Sequence, residues 1–172
     1  MTAPTESQHR AKRPLTVVAG PLGHPFHPLM VVVPIGAWVA SLVFDLASFL
    51  AADAAVFVKG SLWLIGLGIL GALAAAVFGF LDLLVIPRGT KAFSTAFWHM
   101  SLNLTVVALF AIGFAVRRGQ LEQAPVAAVP LAISVVALAL LAVSGWLGGK
   151  LTYTYGVRVV DEERQAEGYG GR

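Results

Sequence analysis

Cysteine is absent from the 172 residues, so a disulfide framework, a thiolate nucleophile and a thiolate-held zinc or iron–sulfur cluster are all excluded. Any metal chemistry falls to histidine, carboxylate or methionine. Charge is also scarce. Only 12% of the side chains are charged and 58% are apolar, where an ordinary soluble domain carries about 25% charged residues. Such a chain cannot clothe a folded surface in polar groups while burying its apolar ones, which excludes a water-soluble globular domain. Motifs for soluble-substrate chemistry are missing too: there is no glycine-rich loop with a P-loop lysine, no nucleophile elbow and no paired acidic motif, and nothing names a reaction. The net charge of +3 and the pI near 9.6 do not indicate nucleic acid, because the basic residues flank apolar runs instead of forming a patch with aromatics. The partner these features imply is membrane lipid.

What the sequence does have is four long apolar runs, near residues 28–51, 61–86, 92–116 and 125–148. Each is long enough to cross a hydrocarbon core about 30 Å thick, which takes about 20 helical residues. Gly60 to Leu81 and Ala124 to Gly149 contain no ionisable residue, and none of the runs alternates with period 2, so they read as helices and not as barrel strands. The connections Ala52–Lys59, Pro87–Lys91 and Arg117–Gln123 are short, which predicts an all-α, up-down-up-down four-helix membrane bundle. The first 27 residues lack the apolar stretch of a cleaved signal, so the first span is expected to stay in the mature protein. An even helix count puts both termini and the 87–91 turn on one face with Arg10, Lys12, Arg13, Arg88, Lys91, Lys150, Arg158, Arg164 and Arg172, nine of the twelve basic residues. By the positive-inside rule that face is cytoplasmic, in an inner membrane. The expected organisation is a flexible tail over 1–22, the membrane domain over 23–150 and an exposed tail over 151–172.

Lipid offers no hydrophobic drive for helix association, so small residues and interhelical hydrogen bonds must supply the contact. The first run carries Pro34, Trp38, Ser41, Asp45 and Ser48 at three- and four-residue steps, its expected inward stripe. The second carries a ladder of Gly68, Gly71, Ala75, Gly79 and Asp82, and the fourth ends in Gly145 and Gly149 at GxxxG spacing. Pro34 should bend the first helix.

Ionisable groups inside a span are functional candidates. Pro28 suits a first helical position, making His27 the expected cap and placing His24 just before it. Asp82 lies about one turn before the end of the second run; His99 lies about two turns into the third, with Asn103 one turn deeper. His24, His27, Asp82, His99 and Asn103 therefore share one half of the bilayer, with Trp146 and Gly149 at the same level, whereas Asp45 lies near the outer end as a hydrogen-bond partner. Three imidazoles and a carboxylate are donors enough for zinc or non-haem iron. Two imidazoles on facing helices could instead hold a b-type haem. A proton path is a third option. The alternative without a ligand is an Asp82–His99 pair that only fixes helix geometry, and spacing leaves these open.

The run Gly23-His24-Pro25-Phe26-His27-Pro28-Leu29-Met30, with Val33-Pro34-Ile35-Gly36 and Val43-Phe44-Asp45, resembles the opening of the bacterial membrane-protein family called domain of unknown function 2231. Gly79-Phe80-Leu81-Asp82 with Ile86-Pro87-Arg88-Gly89, then Trp98-His99-Met100-Ser101-Leu102-Asn103, and Ser144-Gly145-Trp146-Leu147-Gly148-Gly149 with Tyr155-Gly156-Val157 continue the match in order, over about residues 20–160. The resemblance implies a four-helix integral membrane protein whose signature residues fall on His24, His27, Asp82, His99 and Asn103. It carries no established activity; relatives joined to Rieske-type or cytochrome-like modules lean the expectation toward redox membranes.

The resulting expectation is a binding or redox-accessory protein, with His24, His27, His99 and Asp82 as metal ligands, Asn103 completing the cofactor-binding set, and haem b or a divalent zinc or iron ion as the cofactor. Other membrane redox proteins, or a second copy in a homo-oligomer, are the expected partners. The rival is a structural or assembly subunit without cofactor, and a small transporter or proton path acting as an oligomer comes third.

Overall fold

A computed structural model describes residues 6–20, 24–121 and 123–170. The helices are α1 (Glu6–Lys12), α2 (Phe26–Met30), α3 (Val32–Ala47), α4 (Ala54–Val85), α5 (Lys91–Arg118), α6 (Ala128–Gly149) and α7 (Glu162–Glu167), with no strand among the described residues. Among the described residues four stretches are long and apolar enough to cross a membrane: Phe26–Ala47, Ala54–Val85, Lys91–Arg118 and Ala128–Thr154. Contacts join the start of one span to the end of the next, as an up-down-up-down bundle requires. His27 meets Ala75 near the end of α4, Phe44 meets Gly60 near its start, and Arg117 at the end of α5 meets Pro130 at the start of α6. Outward faces carry exposed Leu29, Val39, Val43, Leu70, Val77, Ile112 and Val136, the surface that lipid covers.

The boundaries shift in instructive ways. Phe26, not Pro28, opens the first helix, and Pro25 caps it; Pro28 is tolerated because first-turn N–H groups have no intrahelical acceptor. The interruption between α2 and α3 falls at Val31, beside Met30, the residue whose carbonyl Pro34 leaves without its helical donor. α4 starts at Ala54 and takes in Lys59, which the sequence places in a loop. Between α4 and α5, Gly89 adopts φ +82, and Thr90 accepts a 3.1 Å bond from Phe93 N–H to cap α5. α5 runs on through Arg117 and Arg118, and α6 continues into one π-helical turn over Lys150–Thr154.

The expected inward stripe is borne out. Pro34, Trp38, Ser41, Asp45 and Ser48 are all buried. The α4 ladder faces it: a Cβ at Gly68 would run into the Trp38 indole, and one at Gly71 would come within 2.8 Å of Val33. At the centre Trp38 stacks on Phe110 with ring centroids 4.3 Å apart, and its indole N–H donates to Ile65 O at 3.3 Å. Gly68→Ala is therefore expected to destabilise the bundle by about 1–3 kcal/mol, the usual overpacking penalty, read as a lowered unfolding midpoint in mild detergent. In α6 the close-packed glycine is Gly148. A Cβ at Gly145 would meet nothing, and Trp146 points outward, so the GxxxG expectation there is corrected.

Parts of both expected tails pack on the bundle. Ala11, Leu151 and Val157 are buried with Ile86 and Ala96 in a second apolar cluster, and Arg158 N–H donates to Ala11 O at 3.0 Å. Lys12 Nζ lies 3.1 Å from Asp161 Oδ1, so the two terminal segments hold each other.

Candidate functional site

Two polar centres lie toward opposite ends of the bundle. In the half that carries the termini, His27 projects from the first turn of α2 onto α4, where Nδ1 donates to Ala75 O at 2.9 Å. A carbonyl can only accept, so Nδ1 holds the proton and Nε2 presents its lone pair. The ring lies against Gly79, one helical turn beyond Ala75, where a Cβ would come within 2.9 Å of His27 Cε1. His99 of α5 is built the same way on α6. Its Nδ1 donates to Ser144 O at 2.8 Å, with Ser144 Oγ at 3.0 Å, and the ring faces Gly148, whose Cβ would lie 3.1 Å from His99 Cε1. The two imidazoles meet with centroids 6.3 Å apart and planes at 89°. Asn103, one turn along α5, donates to His99 O at 2.9 Å and reaches Nε2 at 3.2 Å. A backbone acceptor on Nδ1 fixes the tautomer and the ring orientation, which is how a ligating imidazole is prepared.

Of the five residues singled out in the sequence, the structure brings together His27, His99 and Asn103. Asp82 is buried but belongs to a different contact: Arg158 Nε lies 3.0 Å from Asp82 Oδ1, an ion pair held by charge without hydrogen-bond alignment. The same guanidinium donates to Ala19 O at 3.2 Å, so it joins the C-terminal segment to α4 and to the N-terminal segment. The alternative of an Asp82–His99 pair is thereby corrected: Asp82 is ion-paired with an arginine far along the chain, and Ser144 and Asn103 bond His99. His24 lies before α2 at an exposed position. Among the described residues no group of three or more His, Cys, Asp or Glu side chains is placed to hold a metal ion, so the four-residue ligand set is not assembled. Arg158→Ala should leave Asp82 without its counter-ion and destabilise by about 1–3 kcal/mol, with faster proteolysis of the segment after Gly149 as the accompanying readout.

At the opposite end Asp45 is a hydrogen-bond partner, as the sequence suggests, but the cation it bonds was missed. Arg117, expected in a loop, is 2% exposed and grips Asp45 with two bonds, Nη1 to Oδ1 at 2.8 Å and Nη2 to Oδ2 at 2.6 Å. Nη2 also reaches Pro130 O at 3.2 Å and Ser134 Oγ at 3.0 Å. One guanidinium thus ties α3, α5 and α6, in the planar, two-pronged geometry that arginine alone supplies. Beside it Ser48 Oγ donates to Asp45 O at 2.6 Å and accepts from Val126 N–H at 3.1 Å. The available signal was that Asp45 sits on an otherwise inward stripe and needs a cation within reach.

A family model described as predicted membrane protein (DUF2231) matches residues 23–161. No curated protein and no solved structure matches the chain.

Proposed function

The chain belongs to the DUF2231 family of predicted membrane proteins, and from that premise we propose that it is a membrane-embedded binding protein whose site is the His27/His99 pair, with haem as the group the two imidazoles hold. The observation that carries the reading is the pair itself, two rings 6.3 Å apart with both Nδ1 atoms committed to main-chain carbonyls. Haem would need no more than these two imidazoles from the protein, whereas zinc takes four ligands, and among the described residues no group of three or more His, Cys, Asp or Glu side chains is placed to hold a metal ion. Bound there, haem would supply one-electron transfer. The chain's own residues orient both rings through the carbonyls of Ala75 and Ser144, and Asn103, which reaches His99 Nε2 at 3.2 Å, would give up that atom to the bound group.

We place this site in the cytoplasmic leaflet of an inner membrane. Arg117 is buried as the partner of Asp45, which leaves the opposite end of the bundle with Lys59 and Arg118 as its surface cations. The termini end keeps Arg10, Lys12, Arg13, Arg88, Lys91, Lys150 and Arg164.

The second reading, a structural or assembly subunit, is favoured by the same two bonds, because His27–Ala75 and His99–Ser144 each tie a pair of helices without any ligand. Titrating purified protein in mild detergent with haem separates the two. Saturation near one equivalent with a sharp Soret band supports the binding reading. No band, together with a lowered unfolding midpoint in His99→Ala, gives the structural reading its support and ends the first.

A further inference from the structure

Three pairs that meet in the bundle's interior share one spacing. Asp45 and Arg117 are 72 residues apart, and so are Trp38 and Phe110, and His27 and His99. The buried residues of α3 and α5 follow the same shift: Pro34, Trp38, Ser41 and Asp45 correspond to Val106, Phe110, Gly113 and Arg117. α4 and α6 match as closely. His27 bonds the carbonyl 48 residues on, at Ala75, and His99 the carbonyl 45 residues on, at Ser144. In both helices the glycine that seats the ring follows four residues later. In that register the buried Ser61, Ile65, Gly68 and Ala75 correspond to the buried Pro130, Ser134, Ala137 and Ser144. Helical periodicity alone would give matching buried stripes, but it would not put each histidine on a carbonyl with a glycine one turn later.

We infer that the bundle is one helical hairpin used twice in tandem, with a pseudo-twofold axis along the bundle between Trp38 and Phe110, and that Asp45 and Arg117 are a single position whose opposite charges pair unlike halves. Parallel repeats of this kind are related by an axis along the membrane normal, and binding sites in repeat-built membrane proteins lie at the interface between repeats. The His27/His99 contact falls on that interface, so the two imidazoles are one position presented from both sides. The charges break the symmetry where it matters for assembly. Two aspartates or two arginines at this buried position would repel, whereas one of each locks the first hairpin onto the second. The inference does not depend on what the histidines bind.

The relation predicts that the charge pair can be turned around in the full chain. The guanidinium introduced by D45R would face Ser61, the counterpart of Pro130, whose buried hydroxyl has no hydrogen-bond partner. It would also face Ile65, the counterpart of Ser134. D45R and R117D alone each leave like charges buried together and should lower the unfolding midpoint in mild detergent. D45R/R117D should recover at least half of that loss, and adding I65S/S134I, which moves the acceptor hydroxyl to the other half, should recover more. A second exchange reads the same symmetry without charge. Trp38 lies on Gly68, and Phe110 has Ala137 as the corresponding residue, so W38F/F110W should be damaged and adding G68A/A137G should restore it. If D45R/R117D is no better than R117D, and G68A/A137G does nothing for W38F/F110W, the halves are not equivalent and the inference is overturned.

Discussion

Arg117→Ala is expected to lower the stability of the bundle by about 3–5 kcal/mol, the usual loss when one partner of a buried ion pair is removed. The reason is the carboxylate left behind. Asp45 is fully buried, and both of its oxygens are bonded by the one guanidinium. Without it, a charge remains in an apolar interior where, among the described residues, no other cation pairs with it. Three helices also lose their common tie, because the bonds to Pro130 O and Ser134 Oγ go with the side chain. Arg117→Lys keeps the charge but not the fork, so it should recover only part of the loss. Replacing both partners, as in D45L/R117M, removes the desolvation penalty together with the attraction and should fall much closer to wild type than either single change. Unfolding midpoints in mild detergent check all three. A near-neutral Arg117→Ala would mean that the pair does not hold the end of the bundle away from the termini.

His27→Ala and His99→Ala are expected to abolish cofactor binding to the same degree, while His24→Ala leaves it unchanged. The equality follows from construction. Each imidazole is fixed by a main-chain carbonyl on the next helix and seated on a glycine one turn further on, so neither is a primary ligand with the other as an accessory. Stability should respond far less, since an interhelical hydrogen bond within a membrane contributes about 0.6 kcal/mol on average. A large loss of occupancy with a small loss of stability marks a binding role. The reverse ranking marks a structural one.

The helical bundle was legible because lipid imposes a simple rule on sequence: spans must be apolar over about 20 residues, and what is small or polar within them faces protein. That rule picked out Pro34, Trp38, Ser41, Asp45 and Ser48, all of which are buried, and the α4 glycines that receive Trp38 and His27. It also found His27, His99 and Asn103, whose depths coincide because antiparallel helices bring them level. What it could not supply was partner identity. Arg117 ends an apolar run next to Arg118 and reads as a loop residue until Asp45 is seen to need it. Arg158 lies in a polar, glycine-containing segment, and its return onto Asp82 is a long-range contact that no local pattern encodes. The repeat was visible only faintly, as Phe26-His27 and Trp98-His99, since lipid-facing positions tolerate any apolar side chain and erase similarity between the halves.

The most direct test is the visible absorption spectrum and metal content of the wild-type protein, His27→Ala and His99→Ala, purified in parallel in mild detergent. The account predicts a Soret band in the wild type and its absence from both variants, with all three still folded. A wild type with neither haem nor metal, or a band that survives loss of either imidazole, would contradict it.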